Sequence, residues 1–273
     1  MVLTLLAAAP LASDRSAALE EEDGLTAVSL NLAQRDDVDQ IADELSAHGA
    51  GGADLFLLQE VVKRDGEADV AERLGQRLGL QSVFGQAFTN GRGQAVGLAI
   101  LTRQPPIETR LLQLKRFDLG FRSRSRIALG VRVDTAAGPL HVFNVHLDTR
   151  INTRQRLDQL TAVTEELGAL DGPAIVGGDF NTNDNRWVFH AIPLPFLGRQ
   201  RGGVVRFMAR SGFHSAFQRG EATHDFLGMQ LDWLFLRGLR AGLTSIQPLQ
   251  LSDHHALIAS LSRPGLPQST AAR

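Results

Sequence analysis

Cysteine is absent from the chain, which excludes disulfides, thiolate zinc sites and a cysteine nucleophile while leaving the compartment open. Neither sign of charge is in excess. The formal net charge is -2, so the molecule as a whole exerts no pull toward nucleic acid or membranes, and polyanion binding has to rest on a local patch. Long apolar runs are also missing: no segment reaches the roughly 18 residues of a membrane span. No repeat of fixed period and no long linker divides the chain. What is present is 273 residues of 43% hydrophobic content, enough for a sizeable core in one α/β domain.

The N-terminus, "MVLTLLAAAPLASDRSAALEEEDG", begins like a signal-peptide core but lacks a basic leader. A clipped signal, a misassigned start and a frayed tail all stay open. Residues 1–23 are therefore expected to be a tail or signal-like remnant, 24–263 the domain, and 264–273 a disordered tail.

Between the tails, apolar runs suited to buried strands alternate with amphipathic segments. The strand-like runs are "TAVSLNLA", "ADLFLLQEV", "AVGLAILTR", "RIALGVRVD", "PLHVFNVHLD", "PAIVGGDFN", "LDWLFLRG", "AGLTSIQPLQ" and "HALIASL". "RDDVDQIADELSAHG" predicts a helix with Val38, Ile41, Ala42 and Leu45 on one face. "EADVAERLGQRLG" and residues 153–167 predict two more. Residues 183–226 read as irregular and partly helical, with "DFNTND" placed to cap a helix starting near Arg186. The pattern is that of an α/β domain with helices on the sheet faces.

Polar residues gather at the ends of these strands. Asn31 lies at the end of the first and Glu60 at the end of the second. His146 and Asp148 follow "VFNV", Asp179 and Asn181 follow "AIVGG", Asp232 opens "DWLFL", and Asp253 and His254 precede the last strand. Singly, each has an ordinary explanation: a solvated strand end, a satisfied core histidine, a turn or helix cap. His48, His141, His190, His214 and His224 keep that reading. Together the set is harder to dismiss, because crowded carboxylates repel one another unless a cation sits among them. Oxygen donors without cysteine favour a hard divalent ion such as Mg²⁺ or Mn²⁺, which suits phosphate chemistry.

In this order, "SLN", "LLQEV", "GLAILTR", "NVHLD", "GGDFN", "LDWLFL" and "SDHHAL" make the chain resemble the endonuclease/exonuclease/phosphatase superfamily, over nearly its whole folded length. The resemblance implies a four-layer α/β sandwich, two packed mixed β-sheets flanked by helices, with the site at one sheet edge. It implies Glu60 as principal ligand of Mg²⁺ or Mn²⁺ with Asn31 beside it, and Asp253 as an additional metal or water ligand. Asp179 would orient or deprotonate the attacking water, and Asn181 would hold that water or the phosphate. His146 and His254 would contact phosphate oxygens from opposite sides, with Asp232 orienting His254. The sequence departs from the pattern in carrying Leu30 where many relatives have an aromatic. It also offers no acid on "GLAILTR" to partner His146, and it contains no tyrosine, so the apurinic-endonuclease version of the site is not reproduced.

The implied activity is hydrolysis of a phosphate ester, foremost nuclease-like phosphodiester cleavage. A phospholipid or inositol-phosphate phosphodiesterase or phosphatase, and a catalytically silent binding module, are the alternatives. The dinuclear calcineurin-like pattern does not fit, since no G-N-H block exists and "GGDFNTND" is not G-D-x-x-D. "KRFDLGFRSRSR" and "TRINTRQR" supply basic residues, among them Arg126, Arg150 and Arg156. Arg126 and Arg150 are expected to bind substrate, and a nucleic-acid partner is consistent with such a groove. A monomer without protein partners and without membrane insertion is expected. In "SDHH", His254 is expected to pair with the distant Asp232 rather than with Asp253, and His255 to be a rim residue.

Overall fold

The computed structural model describes residues 24–120, 124–135 and 138–264. The two expected tails lie outside the described residues, Pro264 excepted. The chain runs β1 (Leu25–Asn31), α1 (Val38–Ala47), β2 (Leu55–Lys63), α2 (Val70–Leu78), β3 (Gln81–Thr89), β4 (Ala95–Thr102) and β5 (Glu108–Gln113). It continues through β6 (Ile127–Thr135), β7 (Gly138–His146), α3 (Thr153–Gly168), β8 (Ala174–Asp179), β9 (Arg186–Val188) and β10 (Ile192–Leu194). Then come α4 (Gln200–Arg210), β11 (His214–Ser215), β12 (Asp232–Arg237), β13 (Arg240–Gln247) and β14 (Ala256–Ser262).

The strands form two six-stranded mixed sheets, ordered β13-β14-β1-β2-β4-β3 and β11-β12-β8-β7-β6-β5, and a separate β9–β10 hairpin. β1–β2 and β7–β8 are parallel pairs and the other pairings are antiparallel. Period-two alternation of apolar residues builds the layers. In β1, Val28 and Leu30 pack with Ile41 and Leu45 of α1, while Ala27 joins Leu57, Val142 and Leu234 between the sheets. A third cluster sets Val145, Val176 and Phe235 against Leu160 and Val163 of α3 and Val204 of α4. The result is helix, sheet, sheet, helix, as expected.

The expected face of α1 is correct: Ile41, Ala42 and Leu45 are buried, and Asp37 caps the helix by accepting from Gln40 N at 3.1 Å. Several expectations need correction. β3 and β5 have no counterpart among the predicted strands. β3 is weakly patterned: its buried and exposed positions only partly alternate, and its register shifts against β4. The helix expected near Arg186 is strand β9, because Asn181 and Asp184 adopt positive φ and turn the chain into a hairpin rather than a helix. β2 does not end at Glu60 but continues to Lys63 through a bulge.

That bulge governs where Glu60 points. Phe56 and Leu58 face the helix layer, so strict alternation would send Glu60 there too. Instead the register against β4 slips between Leu58 and Val61, and Glu60 takes φ 53. Val61 resumes the helix-facing series while Glu60 leaves it. Beside it, Gln59 donates from Nε2 to Asn144 Oδ1 at 2.8 Å, and Asn144 donates to Leu58 O and Ala99 O, latching the sheets beneath the site.

Candidate active site

A cavity of about 400 Å³ opens at one edge of the sandwich. Its wall includes Asn31, Glu60, His146, Asp179, Asn181 and His254, contributed by β1, β2, β7, β8, the turn after β8 and the approach to β14. Parallel pairing of β7 with β8 sets His146 beside Asp179, and antiparallel pairing of β12 with β8 sets Asp232 on its other side.

Asp179 is the centre. Its Oδ2 lies 3.1 Å from Asn181 Nδ2 and 3.3 Å from Asn31 Nδ2, both donors to it. The same oxygen is 3.3 Å from His146 Nε2 and 3.9 Å from His254 Nε2. Oδ1 accepts from Asn181 N at 2.8 Å. Burial, reinforced by repulsion from Asp232 and opposed by His254, pushes the Asp179 carboxyl up to about 7.

The two histidines are held in opposite charge states. Burial pushes the His254 imidazolium down, but Asp232, aided by Asp179 and Asp253, outweighs it and raises the group to about 10. Asp232 Oδ2 sits 2.9 Å from His254 Nδ1 and accepts from Thr223 Oγ1 at 2.7 Å. His146 is driven well below its ordinary value by burial, then by Arg126, His254 and Arg124. His146 is thus neutral and His254 charged at neutral pH.

Because the folded-state pKa of His254 exceeds the unfolded 6.5, its pairing stabilises the fold fully below pH 6.5. That contribution is lost as pH rises through about 10. Asp179, also raised, contributes in the same direction between 3.8 and about 7. NMR titration of the imidazoles should show neither His146 nor His254 changing protonation near pH 7, and Asp232→Asn should bring His254 down. A wild-type His254 that titrates like a free imidazole would break this assignment.

Glu60 occupies another part of the wall. Its Oε2 accepts from Gln34 Nε2 at 3.0 Å, and Gln34 is held in turn by Asn90 Nδ2 at 3.0 Å. The Glu60 carboxylate and the Asn31 amide oxygen are the hard donors there, and they fit a divalent cation that keeps most of its waters. Two tighter groups, His224–Asp253–His254 and Asp179–Asp232–His254, bring ligand-type atoms within 4.8 Å. Both share His254, whose Nδ1 sits 2.9 Å from Asp232 Oδ2, and both offer carboxylate and imidazole atoms that could hold a cation.

Several expected residues sit elsewhere. Asp253 is not among the cavity lining: its side chain is 59% exposed and pairs with His224 Nε2 at 3.2 Å. The reason is local alternation. Ser252 turns inward, donating to Asn31 O at 2.7 Å, and His254 turns inward after it, which leaves Asp253 and His255 outside. His255 pairs with Asp225 at 2.9 Å. Arg126 and Arg150 share a smaller cavity next to the main one: Arg126 binds Asp148 at 2.9 Å and also borders His146, while Arg150 lies over the Trp187 ring at 5.6 Å. Asp148 also accepts from Gln159 at 2.9 Å, which gives it a structural place. Arg156, counted with the basic rim, is fully buried.

Sequence reading missed Gln34, Thr223 and His224. His224 lines the cavity and meets the His254 ring edge-on at 4.6 Å. Neither it nor Thr223 ends a long apolar strand, so no pattern marked them.

The Endonuclease/Exonuclease/phosphatase family model matches residues 28–254. A UPF0294 protein of Vibrio vulnificus (strain CMCP6) is 25% identical over 259 residues, 92% of this chain and 82% of that protein. The endonuclease/exonuclease/phosphatase from Beutenbergia cavernae DSM 12333 shares the fold at TM-score 0.73 and 17% identity, covering 89% of this chain and 72% of that one. The human nocturnin catalytic domain, solved with a bound sulfate anion, shares it at TM-score 0.64 and 17% identity, covering 89% and 94%. With the family model matching well over half of the chain, including the residues that line the cavity, the chain belongs to the Endonuclease/Exonuclease/phosphatase family.

Proposed function

We propose that the protein is a divalent-metal-dependent phosphodiesterase that hydrolyses its ester by in-line attack of water. The observation that carries this reading is a buried carboxylate, Asp179, flanked by a neutral and a charged histidine. A carboxyl poised at about 7 can take the proton of an attacking water near neutral pH. The His254 imidazolium, held by Asp232, gives a charge-assisted hydrogen bond to a phosphoryl oxygen. Neutral His146 and the Asn181 amide orient the phosphate or the water. Mg²⁺ or Mn²⁺, held by Glu60 and Asn31, would supply neutralisation of the phosphoryl oxygens and the leaving alkoxide. Asp253, on the rim beside His224, is left out of that ligand set.

Hydrolysis of bis-p-nitrophenyl phosphate should stop in EDTA and return with Mg²⁺ or Mn²⁺. Glu60→Gln should need at least about tenfold more metal for half-maximal rate. Undiminished turnover in EDTA would overturn the reading, and no turnover under any metal would leave the silent binding module in its place.

A nucleic-acid substrate has less support than the arginine content suggested. Arg156 is buried, Lys115 pairs with Asp158 at 2.7 Å, and Arg126 pairs with Asp148. A specific observation favours a lipid phosphodiester instead: the cavity mouth is apolar. Phe226 and Pro193 belong to its wall, and the segments that carry them expose large apolar side chains.

A further inference from the structure

We infer that two apolar lips beside the cavity, residues 189–197 and 226–227, dock the protein peripherally on an anionic bilayer. The headgroup phosphodiester of a lipid would then be presented to the site. Docking stands on the surface alone, and only the headgroup clause rests on the phosphodiesterase reading.

Residues 191–197, "AIPLPFL", are apolar without exception and all exposed. Phe189 is 90% exposed, Phe196 81% and Leu227 69%. A stretch this apolar would ordinarily be buried; left in water beside a cleft, it marks a surface that another apolar phase covers. The lips adjoin each other and the cleft. Pro193 and Phe226 share the main cavity wall, while Phe196 and Leu227 share a smaller pocket next to it.

Charge identifies the occupant. Residues 185–220 contain six arginines and no aspartate or glutamate, on a chain of formal net charge -2. Arg186 is the cross-strand partner of Leu194, and Arg199 follows the apolar run directly. Among the six, only Arg201 has an ion pair among the described residues, with Asp184 at 2.5 Å. Apolar side chains flanked by Arg186 and Arg199, neither ion-paired among the described residues, with Asp225 beside Phe226 taken up by His255, match acyl chains beneath anionic headgroups. Ile192, Leu194, Leu197 and Leu227 enter hydrocarbon but give a nucleobase little to stack on, and the oligonucleotide arm of the test addresses the exposed Phe189, Phe196 and Phe226, which can stack one. Among the described residues no helix is long and apolar enough to cross a membrane.

The test is sedimentation of the full chain, in EDTA, with vesicles of equal parts phosphatidylcholine and phosphatidylglycerol, and with phosphatidylcholine alone. The wild type should sediment with the anionic vesicles and only weakly with the neutral ones, and added salt should weaken binding. The Phe189→Asp/Phe196→Asp variant should partition at least about tenfold less, with its melting temperature and its hydrolysis of bis-p-nitrophenyl phosphate unchanged. Equal binding by the variant, or no sedimentation of the wild type, overturns docking. So does tighter binding to a single-stranded oligonucleotide that is lost in the same variant. Sedimentation without hydrolysis of any phosphodiester would keep docking and remove the phosphodiesterase reading. Hydrolysis without sedimentation would do the reverse.

Discussion

Asp179→Asn is expected to lower turnover of bis-p-nitrophenyl phosphate by about 10³-fold while raising the melting temperature at pH 8. The activity arm follows from removing the one group at the centre of the cavity able to accept the proton of water. The stability arm follows from the direction of its pKa. A carboxyl raised to about 7 is penalised by the fold when ionised, through burial and the nearby Asp232. An asparagine keeps an acceptor for the Asn31 and Asn181 amides, 3.3 and 3.1 Å away, without the charge. Loss of activity together with loss of stability would mean that the carboxylate is a structural tie, and the proton-acceptor role would fall. The measurement is steady-state kinetics with Mn²⁺ beside thermal melts at pH 5 and pH 8. The gain in stability should shrink toward pH 5, where the wild-type carboxyl is protonated.

Arg156→Ala is expected to cost about 3–5 kcal/mol in denaturant unfolding, the scale for breaking a buried charged network. Arg156 lies on α3 with no exposure. Its guanidinium donates to Gln200 Oε1 at 2.9 Å, Asp148 O at 2.8 Å, Phe180 O at 2.6 Å and Ile151 O at 3.3 Å. Those carbonyls belong to the loop after β7 and the turn after β8, the segments that carry His146 and Asp179–Asn181 into the cavity. Burial pushes its pKa down to about 9, so it stays charged at neutral pH and its removal strands buried acceptors. Arg156→Lys should recover little, since an ammonium cannot fork toward three carbonyls. A loss near 1 kcal/mol, the scale of an exposed pair, would sink this account.

The layers and the site were legible to different degrees. Buried strands such as β8 and β12 announce themselves by short apolar runs, and each displays a carboxylate at the end facing the cavity. Asp179, Asp232 and His254 could therefore be singled out before their proximity was visible. β3 hides because it is only partly buried and its alternation slips at a bulge. Arg156 could not be told from its exposed neighbour Arg154, because burial of a guanidinium depends on carbonyls supplied by two distant loops. Asp253 and His254 are adjacent letters with opposite surroundings, and a single Ser252 hydroxyl bond to β1 decides which of them faces the cavity. His224 was invisible because its placement depends on a bridge to His254 across an irregular loop.

The bulge in β2 also limits how this protein can diverge. Glu60 faces the cavity because two residues of β2 occupy the space of one against β4. Deleting Gln59 would restore an even pleat and turn the carboxylate, opposite Leu98, into the apolar layer between the sheets. Length changes in this strand are therefore barred where point substitutions are not, and lineages of the domain should insert and delete residues in the flanking loops instead.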